Sequence, residues 1–163
     1  MILRIVTISD TDTRINTRIT QIKNTKLVHA ELTYKINGLC FKAHCKLGRF
    51  RSERQYCDEF EILLKANNWK YERELELNKI TPEIPKGNRV DFYIANLIII
   101  DFKAKKFITK EDYIQMLRYL ESANLQLGII YNFRNTYLKP KRIINPKFNP
   151  RHPGEKSASS GSP

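Results

Sequence analysis

The strongest constraint in this chain is the segment Val90-Asp91-Phe92-Tyr93-Ile94-Ala95-Asn96-Leu97-Ile98-Ile99-Ile100-Asp101-Phe102-Lys103, where two runs of β-branched and aromatic residues flank a turn signal at Asn96. It reads as two strands, Arg89 to Ile94 and Leu97 to Lys103, joined by a three-residue connection with Asn in a left-handed conformation. Side chains alternate along a strand, so Phe92, Ile94, Ile98, Ile100 and Phe102 share one face while Asp101 and Lys103 point to the other. A hairpin folded about Asn96 sets Asp91 opposite Asp101 on that second face. The Leu97 to Lys103 run is almost wholly β-branched or aromatic, as a central strand buried on both sides requires.

Directly opposed carboxylates repel, and the pair is destabilising unless positive charge lies between them. A divalent cation meets that need, and hard oxygen donors select Mg²⁺ or Mn²⁺. Such an ion polarises a phosphoryl oxygen and activates water, and Lys103 is placed to orient that water or to stabilise developing charge. The plainer alternative has Asp101 and Lys103 as a strand-end salt bridge and Asp91 capping a turn. Three features weigh against it: the matched acid across the hairpin, the apolar run leading into Asp101, and a helical pair just downstream. That pair, Gln115 and Tyr119, is four residues apart and so lies on one helix face; if the helix packs beside the strand end both reach a phosphate or nucleic-acid backbone, and otherwise they are a solvated Gln beside a core-edge Tyr. Glu53, in the first turn of an earlier helix, is either a further metal ligand or an acid placed there by the helix dipole.

The remaining elements follow from periodicity. From Leu27 to Leu47, Val28, Leu32, Ile36, Leu39, Cys40, Ala43 and Leu47 recur at three- and four-residue intervals, as an amphipathic helix requires, and Gly48 stops it. A second helix spans Ser52 to Ala66, with Ser52 as N-cap and Tyr56, Phe60, Leu63 and Leu64 as its apolar stripe. Tyr71 to Ile80 alternates like a half-exposed strand, and Pro82, Pro85 and Gly87 form the next loop. A helix from Lys110 to Ala123 turns Tyr113, Ile114, Leu117 and Leu120 toward the sheet, and Leu125 to Phe133 is a final core strand. The order helix, helix, three strands, helix, strand predicts a mixed α/β sheet. Residues 1–26 read as a lead-in, with a short strand over Ile2 to Ile8 and no clear period from Asp10 to Thr25, and the Pro-, Gly- and Ser-rich stretch 147–163 reads as a disordered tail. A single domain is expected over residues 27–146.

Charge supports the same chemistry. The chain carries 29 Lys and Arg against 17 Asp and Glu, a formal charge of +12, which draws phosphates by counterion release or simply aids solubility. No apolar run reaches the length of a bilayer span and the N-terminus lacks a signal-peptide pattern, so a cytoplasmic protein without a membrane partner is expected. Cys40, His44, Cys45 and Cys57 lack the second ligand pair of a zinc finger, and the three cysteines read as reduced core thiols. A Gly-rich phosphate loop and a serine nucleophile elbow are both absent.

An acid, then Asp101-Phe102-Lys103, resembles the PD-(D/E)XK nuclease superfamily, and Gln115-Met116-Leu117-Arg118-Tyr119 looks like the Q-x-x-x-Y element of its RecB-type branch. More closely, the chain resembles the GxxExxY family within it. That likeness rests on Glu31 to Ile36, His44, Leu47-Gly48, Glu53 with Tyr56, Ile99 to Ala104, Gln115 to Leu120, and Leu127 to Phe133. Phe50 stands where that family has its glycine, and Asp101 where Glu is usual. The resemblance implies an αβββαβ core of restriction-endonuclease type, preceded by an extra N-terminal helix. It also implies a site of Asp91, Asp101, Lys103, Glu53, Gln115 and Tyr119, with Glu53, Asp91 and Asp101 holding Mg²⁺ or Mn²⁺. The implied activity is hydrolysis of nucleic acid, DNA first, with a homodimer left open. The alternative is an inactive nucleic-acid-binding or protein-interaction module on the same fold.

Overall fold

The computed structural model describes residues 27–150. The strand expected over Ile2 to Ile8, the rest of the lead-in and most of the tail lie outside them. The elements run α1 (Ala30–Leu47), α2 (Glu53–Ala66), β1 (Tyr71–Glu76), β2 (Arg89–Ile94), β3 (Ile98–Lys103), α3 (Lys110–Ser122), β4 (Leu127–Asn132) and β5 (Lys141–Ile144), with a 3-10 turn at Leu77–Lys79. The five strands form one sheet in the order β1-β2-β3-β4-β5. β1 to β3 are antiparallel neighbours, β3 and β4 are parallel and joined through α3, and β5 returns antiparallel to β4. The fold is therefore the mixed α/β architecture that the element order predicts, built around β3.

Two apolar layers clamp the sheet. On one side α1 and α2 supply Ile36, Leu39, Cys40, Ala43, Tyr56, Phe60 and Leu64, which meet Phe92, Ile94, Ile98, Ile100 and Phe102 from the hairpin. Those five hairpin residues are the set that alternation assigns to one face. Phe102 is the hub, with ring centroids 5.2 Å from Phe60, 5.5 Å from Phe92 and 4.7 Å from Phe133, in the tilted and edge-to-face arrangements that aromatic quadrupoles favour. On the other side Met116 and Leu120 of α3 pack with Val90, Tyr93, Ile99 and Ile130. β3 and β4 are thus covered on both faces, as parallel neighbours must be. Gly128 permits the close approach of α3, since a Cβ there would overlap the Met116 side chain.

Local chemistry explains the element ends. Ser52 and Gln55 form a reciprocal capping box that starts α2 at Glu53. The β2–β3 turn has Ala95 at φ 52° and Asn96 at φ 58°, with the Leu97 amide donating to the Ile94 carbonyl at 3.0 Å. Positive φ at both central residues is what a type I′ hairpin turn needs.

Several expectations are corrected. β1 stops at Glu76, where the chain turns into the 3-10 segment, so the strand does not continue to Ile80. The inward row of α3 is Asp112, Met116 and Leu120, whereas Tyr113 and Ile114 are exposed. Burying Asp112 is possible because Lys105 pairs with it at 2.5 Å and the Thr109 amide donates to it at 2.7 Å, and this turns the helix away from its apparent apolar stripe. β5 goes beyond the expected order: Lys141 and Arg142 lie in a short edge strand that follows the expected last strand. Arg142 donates to Thr33 Oγ1 at 2.7 Å and to the Val28 carbonyl at 2.6 Å, fastening β5 to α1. Of the three cysteines, Cys40 and Cys57 are buried thiols but Cys45 is exposed. No helix among the described residues is long and apolar enough to cross a membrane.

Phe60 is fully buried and joins the rings of Phe92 and Phe102. Replacing it with alanine is expected to cost about 3–5 kcal/mol of unfolding free energy, read as a lower urea midpoint with an unchanged slope; a loss under 1 kcal/mol would contradict this packing.

Candidate active site

The site is assembled at the C-terminal end of β3. The β2–β3 register pairs Phe92 with Ile100, Tyr93 with Ile99 and Ile94 with Ile98, and one further step sets Asp91 opposite Asp101. The backbone ladder ends before that step. In its place the Phe102 amide donates to Asp91 Oδ2 at 2.6 Å, a charge-assisted bond that locks the acid against the neighbouring strand. Asp101 and Lys103, two apart on β3, share the α3 side of the sheet, and their side chains form an ion pair at 2.8 Å with only 20% and 17% exposure. Lys103 is therefore held at the acids and not turned into the apolar layer.

Glu53 arrives from α2, which packs on the opposite face. Its Oε1 accepts from the Ala104 amide at 3.0 Å, so the first residue of α2 is tied to the residue that follows β3. That placement depends on the Gly48–Ser52 loop, which Tyr56 organises by donating to the Gly48 carbonyl at 2.6 Å and accepting from the Arg51 amide at 3.2 Å. The Tyr56 ring is stacked on Phe133 at 4.2 Å, so the loop is anchored in the core.

Electrostatics show how closely these groups sit. Burial, then the Asp101 charge, pushes the Asp91 carboxyl up to about 6, against the opposing effect of the Phe102 amide. Burial likewise raises Asp101, with Lys103 acting to lower it and Glu53 adding repulsion. For Lys103, burial disfavours its charge, but Asp101, Glu53 and Asp91 outweigh that and hold the ammonium above its ordinary value. Glu53, Asp91, Asp101 and Lys103 thus feel one another, and three carboxylates against one ammonium make a local excess of negative charge in a chain of charge +12.

Gln115 and Tyr119 are brought together as expected, the Gln115 amide donating to the Tyr119 hydroxyl at 2.9 Å. They lie one and two turns beyond Asp112, whose charge reaches Asp101. Sequence reasoning missed Asp112 and also Asn132. The Asn132 amide grips both the Lys105 amide, at 3.2 Å, and the Lys105 carbonyl, at 2.7 Å, which fixes the chain as it leaves β3. The signal was a lone amide closing the apolar run Leu127 to Tyr131. Cys57, one turn after Glu53, is a further neighbour: burial, then the Asp91 charge, drives its thiol upward, so it stays protonated.

The donors suit a hard divalent cation. No group of three His, Cys, Asp or Glu side chains among the described residues closes a metal cage by itself. Mg²⁺ does not require one, because it keeps several waters beside one or two carboxylates. Asp91 and Asp101 are two such carboxylates, and a cation between them would relieve their mutual repulsion.

Residues 30–144 match the family model of the PD-(D/E)XK nuclease superfamily, a span that opens with α1 and closes with β5. Curated proteins and solved structures yield no match to the chain. The family match takes in the whole described fold and most of the sequence, and the fold it covers sets an acid on β2 beside the Asp-x-Lys of β3; the chain belongs to the PD-(D/E)XK nuclease superfamily.

Proposed function

We propose that this chain is a nuclease that hydrolyses phosphodiester bonds of nucleic acid, DNA before RNA, with Mg²⁺ or Mn²⁺ as its cofactor. The carrying observation is the convergence of Asp91, Asp101 and Lys103 at the end of β3, with both acids strained toward protonation by burial. In this reading Asp91 and Asp101 hold the ion and Glu53 completes its surroundings, with the Ala104 amide fixing the Glu53 side chain. When bound, the ion supplies charge that polarises the phosphate and lowers the pKa of water. Lys103, kept charged by its acidic neighbours, orients the attacking water and steadies the negative charge that grows on the phosphate. Gln115 and Tyr119 present a hydrogen-bonded pair from α3 that positions the substrate backbone. The overall positive charge draws the polyanion in. A finer likeness to the GxxExxY family, a cytoplasmic setting and a homodimer belong to the same proposal.

The direct Lys103–Asp101 ion pair favours a second reading, since it neutralises one acid without any metal. That reading is an inactive binding module, and one assay separates the two. Single- and double-stranded DNA are incubated with Mn²⁺, with Mg²⁺ and with a chelator. Cleavage is expected only with metal, with Asp101→Ala at background and Lys103→Ala slowed by about 10²- to 10³-fold. Equal cleavage by wild type and both variants would remove this site from the chemistry. Metal-independent binding with no turnover would establish the binding module.

Asp91 also fixes the sign of a pH effect. Its folded pKa, about 6, lies above the ordinary carboxylate value of 3.8, so its contribution to metal-free stability is fully present below about pH 4 and is lost as pH rises through 6. Thermal melts in chelator should show this decline, and Asp91→Asn should flatten it. Because a ligand carboxylate must be ionised, the gain in Tm on adding Mn²⁺ is expected to be large at pH 7.5 and small at pH 5. A metal-induced gain that is the same at both pH values would argue against Asp91 as a ligand.

A further inference from the structure

Around the end of β3, three loops carry exposed aromatic rings, and two of those rings have cations beside them. Phe50, in the loop before α2, is 72% exposed, Phe107, in the loop after β3, is 67% exposed, and Tyr137, in the loop after β4, is 77% exposed. Single exposed apolar residues are ordinary on protein surfaces. Phe50 and Phe107 differ in the cations beside them, and Tyr137 follows Thr136, which Arg49 bonds. The Arg49 guanidinium lies 5.0 Å from the centre of the Phe50 ring and that of Arg134 lies 5.5 Å from it, so one exposed ring is attended by two planar cations. The Lys106 ammonium sits 5.3 Å from the centre of the Phe107 ring. Among the described residues, none of Arg49, Arg134 and Lys106 is ion-paired with a carboxylate, so no acid neutralises their charge.

The loops are also held together at the site. Arg134 donates to the Ala104 carbonyl at 3.1 Å, joining the loop after β4 to the end of β3, and Arg49 bonds the Thr136 hydroxyl, joining the loop before α2 to the same stretch. Glu53 fastens the start of α2 to the Ala104 amide. The aromatic loops therefore converge on the residue that follows Lys103.

We propose that these loops form a stacking platform for unpaired bases, which makes single-stranded nucleic acid the substrate class fed to the site. This rests on the nuclease reading for its purpose, though not for its test. Exposed aromatic faces alternating with cations match a single strand, whose bases offer free π-faces and whose phosphates need counter-charge. A duplex keeps its base faces inside the stack and cannot use the rings. Stacking is indifferent to the sugar, so DNA and RNA strands share this recognition.

The test is fluorescence anisotropy of the full chain with labelled oligothymidylate, oligouridylate and a DNA hairpin duplex, all in chelator so that binding is read without cleavage. Tighter binding of both single strands than of the duplex is expected. Phe50→Ala, Phe107→Ala and Tyr137→Ala should each weaken single-strand binding by about 5- to 150-fold, and Phe50→Trp should restore it. Thermal melts serve as a folding control, and these exposed positions should leave Tm unchanged. Duplex preference, or alanine variants that bind single strands as tightly as wild type, would overturn the platform. Cleavage that survives alongside such a result would leave the nuclease reading intact. Ring-dependent binding by a wild-type protein that never cleaves with Mn²⁺ would instead sink the nuclease and keep the platform.

Discussion

The end of β3 concentrates more negative charge than a partly buried position tolerates alone, and much of the structure is arranged around that strain. Asp91 and Asp101 are both pushed toward protonation by burial. They persist because each has a specific donor, the Phe102 amide for Asp91 and the Lys103 ammonium for Asp101. Removing either donor would leave an uncompensated buried charge, which is more costly than the intact pair is stabilising. A cation placed between the acids would relieve the same strain, which is why the proposed function gives them an ion.

Rigidity behind the charges comes from the aromatic core. Phe102 lies between Asp101 and Lys103 in sequence and points the opposite way, into the rings of Phe60, Phe92, Tyr131 and Phe133. Strand alternation therefore couples the two faces: fixing Phe102 in the core fixes the direction of both charged neighbours. The Tyr56–Phe133 stack performs the same service for Glu53, because Tyr56 also holds the loop that starts α2. A cluster of charged groups built on strands and a capped helix gains precision from packing on the far side of the sheet.

The loops beyond β3 and β4 form a second layer, closed by amide and guanidinium bonds. Asn132 holds Lys105 by both backbone groups, Lys105 holds Asp112, and Arg134 holds Ala104. The Asn132 and Arg134 bonds join segments far apart in sequence, Lys105–Asp112 links a loop to the next helix, and each uses a residue type that also occurs freely on surfaces. Local pattern cannot reveal them, because the partner that satisfies each polar group is supplied by another element.

The hairpin was legible because its information is local: β-branched runs set the strands, Asn96 marked the turn, and period two divided Phe92, Ile94, Ile98, Ile100 and Phe102 from Asp101 and Lys103. The helix starting at Glu53 was legible for the same reason, since Ser52 and Gln55 satisfy its first amides within one turn. The inward face of α3 was not, because Asp112 is buried by a contact with Lys105 that periodicity assigns to solvent. Nor was β5, a short charged edge strand that exists through pairing with β4 and the hold of Arg142 on α1. The sequence by itself determined which residues share a strand face and where α2 begins, since alternation and capping act within a few residues. Only the tertiary structure decided that Glu53 from one layer meets Asp101 from the other, because that meeting depends on how α2 packs against the end of β3.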